Sequence, residues 1–270
     1  YTQTEDFALG SDYSGSVTFT SRYGTADYRA AGAAYRFSSV GFACYGQTGF
    51  ENMDFEALET GFLLVGQHHP VRIGAGCVMR GAQMTGGTIA NSFAVIGGYD
   101  NGIGTKSYAS AADTDITVLS GSRIYVVAYS RNIRGSYTGT ANVYIGGTAA
   151  LTALHGSAAY PSDVCGGDLR AVVAGDASVQ TVYGCTQRTT QNSFTLIWKS
   201  GKIGAFRWTA ADDYAPSIYA PTLLAASNAA AKTGSFAAIA ANFDVVLRAA
   251  DAPDNLAVFP AKPSERRSVA

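Results

Sequence analysis

Short apolar runs closed by glycine, asparagine, aspartate or serine constrain this chain more than any other feature. The runs Phe62 to Val65, Phe93 to Ile96, Ile124 to Tyr129, Asn142 to Ile145, Leu169 to Val173, Phe194 to Trp198 and Phe243 to Leu247 are rich in Val, Ile, Phe and Tyr. Segments of this length and type fit buried strands and are too short for ordinary helices. Ser16 to Thr20 (S-V-T-F-T) alternates polar and apolar residues, the period of a strand with one face inward. Between runs stand Gly86-Gly87, Asp100-Asn101-Gly102, Gly146-Gly147, Gly166-Gly167 and Ser200-Gly201. Glycine reaches the positive φ that tight hairpins need, so this punctuation predicts many antiparallel pairs.

The expectation is an all-β fold, a jelly-roll-like antiparallel β-sandwich with few short helices. Helical connectors are expected at Met53 to Leu58 and, after Pro221, at Thr222 to Lys232. No linker divides the chain, so residues 1–259 read as one β-sandwich domain. Residues 260–270, polar with two prolines, read as a flexible C-terminal arm. An echo between Ser14-Gly15 through Tyr28 and Ser200-Gly201 through Tyr214 falls short of a repeat, because short Gly/Tyr/Asp patterns recur by chance.

Charged residues are only 14% of the chain against 47% hydrophobic, a balance that suits secreted or assembled surfaces better than a cytosolic enzyme. A net charge of -1 provides no electrostatic footprint for nucleic acid or an anionic membrane. The longest apolar stretch, Phe236 to Leu247, is broken by Asn242 and Asp244, so no membrane-spanning helix is predicted. Beginning at Tyr1, the sequence reads as a processed or partial product.

Four cysteines allow three full pairings. Cys165 and Cys185 bracket Leu169 to Val173 and Val179 to Tyr183, which read as a hairpin that a disulfide could close. Cys44 and Cys77 sit in apolar runs and read as free buried thiols. With no C-x-x-C and only His68, His69 and His155, no metal site or cofactor is expected.

The segments G-S-R-I-Y-V-V-A-Y-S-R-N (121–132), T-A-N-V-Y-I-G-G (140–147), L-R-A-V-V-A-G (169–175) and S-G-K-I-G-A-F-R-W (200–208) follow one another in an order that resembles laminin-G and concanavalin-like sandwiches. The resemblance covers about a third of the chain. It implies a jelly roll used for adhesion or glycan binding, although the calcium-binding acidic residues of the lectin members have no counterpart here.

Catalytic signals are sparse. L-T-A-L-H (151–155) has no G-D-S-G-G segment after it, and Cys165-Gly166-Gly167-Asp168 lacks a nucleophilic serine, so His155 reads as a surface or loop residue. Glu51, Asp54, Glu56 and Glu59 crowd one segment and read as a solvated face instead of the separated pair that glycoside cleavage requires. His68-His69-Pro70 reads as a strand-end turn, and Asp113/Asp115 and Asp212/Asp213 as loop caps. Tyr99, Asp100, Asn101 and Trp208 are the ligand-binding candidates, aromatics near polar turns that could stack on sugars.

No catalytic residue is assigned, and the expected function is a non-catalytic structural or adhesion protein of a virion or cell surface. Its partners would be copies of itself, other structural subunits or surface glycans. The alternatives are a lectin-like or carbohydrate-active module and, further off, an outer-membrane β-barrel, which the two-sided apolar runs disfavour.

Overall fold

The computed structural model describes residues 2–3, 7–8, 15–30, 32, 34–37, 41–57, 63–81, 93–100, 104, 109–130, 136–156, 164–165, 167–183, 194–207, 217–220, 244–248 and 256–259. It is all-β, with no helix among these residues, and its sheets are mostly parallel and stacked as a β-solenoid. The expected antiparallel jelly-roll sandwich is therefore incorrect. From Leu63–Val65 to Phe194–Trp198 each apolar run pairs in parallel with the equivalent run one coil away and forms no hairpin with the strand that follows it.

A ten-stranded sheet carries this stacking along the molecule. Within it Thr114–Val118 pairs in parallel with Ala141–Ile145, which pairs with Leu169–Val173, which pairs with Phe194–Trp198. Ser16–Thr20, Gln47–Glu51 and Val71–Ile73 continue the sheet in one direction, and Ser217–Ala220 and Asp244–Arg248 in the other. An eight-stranded sheet takes the other half of each coil, and there Phe93–Ile96, Ser122–Val127, Ala150–His155 and Ser178–Tyr183 lie in parallel succession. A four-stranded sheet, again parallel, forms a third side at the N-terminal end.

The runs expected to form a hairpin lie in different sheets. Leu169–Val173 belongs to the ten-stranded sheet and Ser178–Tyr183 to the eight-stranded one. The turn between them carries the chain around a corner. Gly147 and Gly175, with φ of 54° and 64°, occupy equivalent corners of adjacent coils, and Gly201 (86°) occupies the next. Backbone hydrogen bonds join these corners: Thr148 N donates to Leu119 O at 3.0 Å and Asp176 N to Gly147 O at 2.9 Å. A Cβ on Gly147 would collide with the Leu119 carbonyl, and one on Gly201 with that of Ala177. Glycine is required twice over, for its left-handed backbone and for the close approach of the coil beneath.

The expected helix over Met53 to Leu58 is also incorrect. Asp54–Ala57 is a strand between Tyr35–Phe37 and Val78–Gly81 in the four-stranded sheet, because parallel partners on both sides outweigh helix propensity. The other expected helix, Thr222 to Lys232, and the expected arm, 260–270, lie outside the described residues.

Alternation sorts the side chains of the ten-stranded sheet. Ile116, Val118, Val143, Ile145, Val173 and Leu196 face the interior and are at most 2% exposed. Toward the N-terminal end the interior is aromatic, with Phe50 centred 5.2 Å from Phe19, 5.7 Å from Phe42 and 5.5 Å from Phe55. Most of these pairs are edge-on, the arrangement the ring quadrupole favours. Cys44 and Cys77 are buried and free, and burial pushes the Cys44 thiol up to about 12.

Replacing Gly147 with Ala should lower unfolding stability by about 1–2 kcal/mol from the left-handed backbone, and by more through the clash with the Leu119 carbonyl. Urea denaturation measures this, and an unchanged midpoint would contradict the corner geometry. Arg29 offers a second test. Its Nε lies 2.7 Å from Asp54 Oδ1, and its NH1 donates at 2.7 Å to both Asn52 Oδ1 and Gly76 O, tying the hairpin Arg22–Tyr23/Ala26–Asp27 to the solenoid. Arg29→Ala removes the ion pair with the buried Asp54 carboxylate and both NH1 hydrogen bonds, and should cost about 2–3 kcal/mol in the same assay.

Candidate functional site

The outward face of the ten-stranded sheet is built from the residues that alternate with the core. One row runs across successive coils through Asp115, Asn142 and Arg170, in register. A parallel row runs through Arg72, Thr117, Tyr144, Val172 and Ile197. Asp115, Arg170 and Arg72 are exposed, while Asn142, Thr117, Val172 and Ile197 are half-buried. Tyr144 is 40% exposed, and its ring lies close over Gly146, where a Cβ would stand 2.6 Å from a ring carbon. Partial burial raises the Asp115 carboxyl above its ordinary range. Arg72 makes a 3.5 Å pair with Glu51, both well exposed, so that contact adds little stability.

A second aromatic surface lies on the hairpin near the N-terminal end. Tyr23 is 81% exposed and Tyr28 51%. Beneath them Asp27 is held below the usual carboxylate range, chiefly by the Asn52 side-chain amide, which donates to its Oδ2 at 3.0 Å. The hairpin is thus anchored on its polar side, and its tyrosines project into solvent.

The histidines occupy the opposite kind of environment. His68, in the left-handed region at φ 65°, sits in the turn before Val71–Ile73, with its ring 4.8 Å from Tyr99 and 6.2 Å from Tyr137. Burial lowers its pKa, so the ring is neutral at physiological pH. Gly97 and Gly98 make room for this corner. A Cβ on Gly98 would strike the Ser130 hydroxyl, which instead accepts the Tyr99 N–H at 2.8 Å. His155 is not the surface or loop residue expected but a buried strand residue, stacked on Tyr183 at 4.6 Å and 4°, with its pKa lowered by burial to about 4. Among the described residues its Nδ1 has no hydrogen-bond partner.

Of the candidates from sequence, Tyr99 is half-buried against His68 and Asp100 is buried. The two meet at this packed corner and do not form an open stacking platform. Asn101, Trp208 and Cys185 lie outside the described residues. Cys165 is on the strand Val164–Cys165, which pairs with Ser136–Tyr137. The hairpin that suggested its bond to Cys185 is absent. Asp54, expected on a solvated face, is buried against Arg29. Asp115 lies on a strand, and Asp113 accepts the Thr140 N–H at 2.7 Å from the next coil and not from its own turn. No group of His, Cys, Asp and Glu among the described residues could hold a metal ion.

Sequence reasoning missed Tyr23, Tyr28 and Tyr144 as surface aromatics. The alternation A-N-V-Y-I at 141–145 would have placed Tyr144 outward had one face been known to be solvated. No protein-family model, curated protein or solved structure matches this chain.

The pH dependence of stability follows from His155. Its protonated form is disfavoured in the folded state, so its contribution is complete above the unfolded pKa near 6.5 and is lost as pH falls toward about 4. Between pH 7.5 and 4.5 wild type should lose about 2–3 kcal/mol more than His155→Phe, which keeps the stack on Tyr183. Parallel acid losses in the two proteins, measured by urea midpoints, would refute the assignment.

Proposed function

We propose that this protein is a non-catalytic structural or adhesion protein of a virion or cell surface, a rigid β-solenoid that acts through assembly or surface recognition. The observation that carries this reading is the ten-stranded sheet, whose outward face presents side chains in straight rows across successive coils. At about 4.8 Å per strand such a sheet extends about 45 Å, and its backbone ladder fixes the row spacing without any ligand. A surface of this kind suits repeated contacts with an ordered partner. The interior beneath it is filled with side chains such as Phe50, Val118 and Trp198, which stiffens the support.

The intact protein should either form a defined assembly in light scattering or bind saturably to cells or arrayed glycans. A monomer that binds neither, or one that turns over a substrate, would overturn the proposal. The exposed Tyr23 and Tyr28 favour a second reading, a lectin-like module in which the hairpin stacks on sugar rings. In that case Tyr23→Ala/Tyr28→Ala should weaken glycan binding at least about 10-fold, which corresponds to roughly 1.4 kcal/mol. Unchanged affinity would remove the hairpin from consideration.

A further inference from the structure

We infer that the outward face of the ten-stranded sheet is a self-complementary interface that binds a second copy of the chain face to face about a two-fold axis parallel to the strand Ala141–Ile145. The inference deepens the assembly reading above, on which it rests, by naming the partner and its geometry.

Charge placement carries the argument. Asp115, Asn142 and Arg170 form one cross-strand row, with the acid one coil to one side of Asn142 and the base one coil to the other. A two-fold axis along the central strand reverses the order of the coils and keeps the position along each strand. It therefore sets Asp115 of one copy opposite Arg170 of the other, twice, and sets Asn142 opposite Asn142. In the neighbouring row the same operation brings Tyr144 onto Tyr144, Thr117 onto Val172 and, further out, the Arg72 side chain across Ile197, where its aliphatic stem can lie against the isoleucine. This is the reciprocal pairing that an isologous interface requires. Both charges are exposed, and the residues around them are half-buried, with Tyr144 40% exposed. Asp115 and Arg170 each stand one strand from the axis, so the two facing ion pairs lie near the centre of the interface beside Asn142, Tyr144 and Val172, where opposition of charge fixes the register of the two copies.

Position and area agree with the charges. Ala141–Ile145 has four strands of the sheet on one side and five on the other, so the axis passes near its middle and the two faces overlap almost completely. Ten strands at about 4.8 Å, each about five residues long at roughly 3.3 Å, make a face of about 800 Å², the area one partner contributes to a standard interface.

The test is sedimentation of the full chain with paired charge variants. Wild type should show a monomer–dimer equilibrium. Asp115→Arg alone places arginine opposite Arg170, and Arg170→Asp alone places aspartate opposite Asp115. Each should weaken dimerisation by at least about 10-fold. Mixed in equal amounts, the two variants should form a heterodimer, because every facing pair is then opposite in sign; this recovery also shows that both are folded. Asn142→Cys, which lies on the axis, should be joined into a covalent dimer by a short bis-maleimide that spans the roughly 10 Å between packed sheets, and wild type should not be under the same conditions. Three results would each overturn the inference: a strictly monomeric wild type, single variants that dimerise as well as wild type, or variants that fail to recover on mixing. A monomer whose Tyr144→Ala variant loses saturable glycan binding would assign the face to a sugar instead. In that case the adhesion reading stands and the self-association does not, and only the loss of both assembly and binding removes the two together.

Discussion

The register between successive coils governs the rest of this structure. Once Thr114 lies over Ala141, and Ala141 over Leu169, every core residue stacks on a core residue and every outward residue on an outward one. A slip of one position would turn Val143 to solvent and Tyr144 to the interior. The corners hold the register against such slips. Gly147 and Gly175 take up left-handed conformations where the coils touch, and the hydrogen bond from Asp176 N to Gly147 O joins one corner to the next. Polar side chains reinforce this locally: the Ser120 hydroxyl receives the Cys77 N–H at 2.8 Å and donates to Gly74 O at 2.5 Å, linking two coils inside the wall.

The strands themselves were legible in the sequence, and their partners were not. Phe93–Ile96 and Leu169–Val173 fall almost where the apolar runs predict them. A two-residue glycine turn serves equally for a reversal and for a corner, however, so Gly146-Gly147 could not distinguish a hairpin from a solenoid. The distinguishing signal was present at longer range. A-N-V-Y-I-G-G-T-A-A-L at 141–151 and L-R-A-V-V-A-G-D-A-S-V at 169–179 have the same plan, and the structure stacks them residue for residue. The echo sought between Ser14 and Ser200 matched individual letters. The repeat instead preserves only side-chain direction and turn position, as quasi-one-dimensional folds allow.

The candidate sites were less legible, because exposure depends on the path of the whole chain. Tyr99 has turn residues around it in sequence, but the fold brings His68 against its ring. His155 follows an alternating stretch, and its burial arises because both faces of the eight-stranded sheet are covered: Ala94 and Ile96 form one apolar cluster, and Phe93 and Val95 belong to the other. That two-sided burial is usual for parallel sheets and explains why the runs read as continuous apolar segments. Asp54 was misplaced for a similar reason, since its partner Arg29 lies on a hairpin distant in sequence.

The ten-stranded sheet does not end as it is built. Its last strand, Leu256–Phe259, runs antiparallel to Asp244–Arg248, whereas the other neighbours in that sheet are parallel. A parallel stack is a template, and each exposed rung invites another chain to add its own in the same direction, the route by which ordered proteins turn into fibres. A reversed rung changes the pattern of donors and acceptors offered to the next strand, from evenly slanted to alternately spaced. The ladder can therefore be copied rung upon rung along its parallel stretch, whereas the reversed strand Leu256–Phe259 presents a different pattern from the rungs it follows, and duplicating coils within the parallel stretch would leave that reversal untouched.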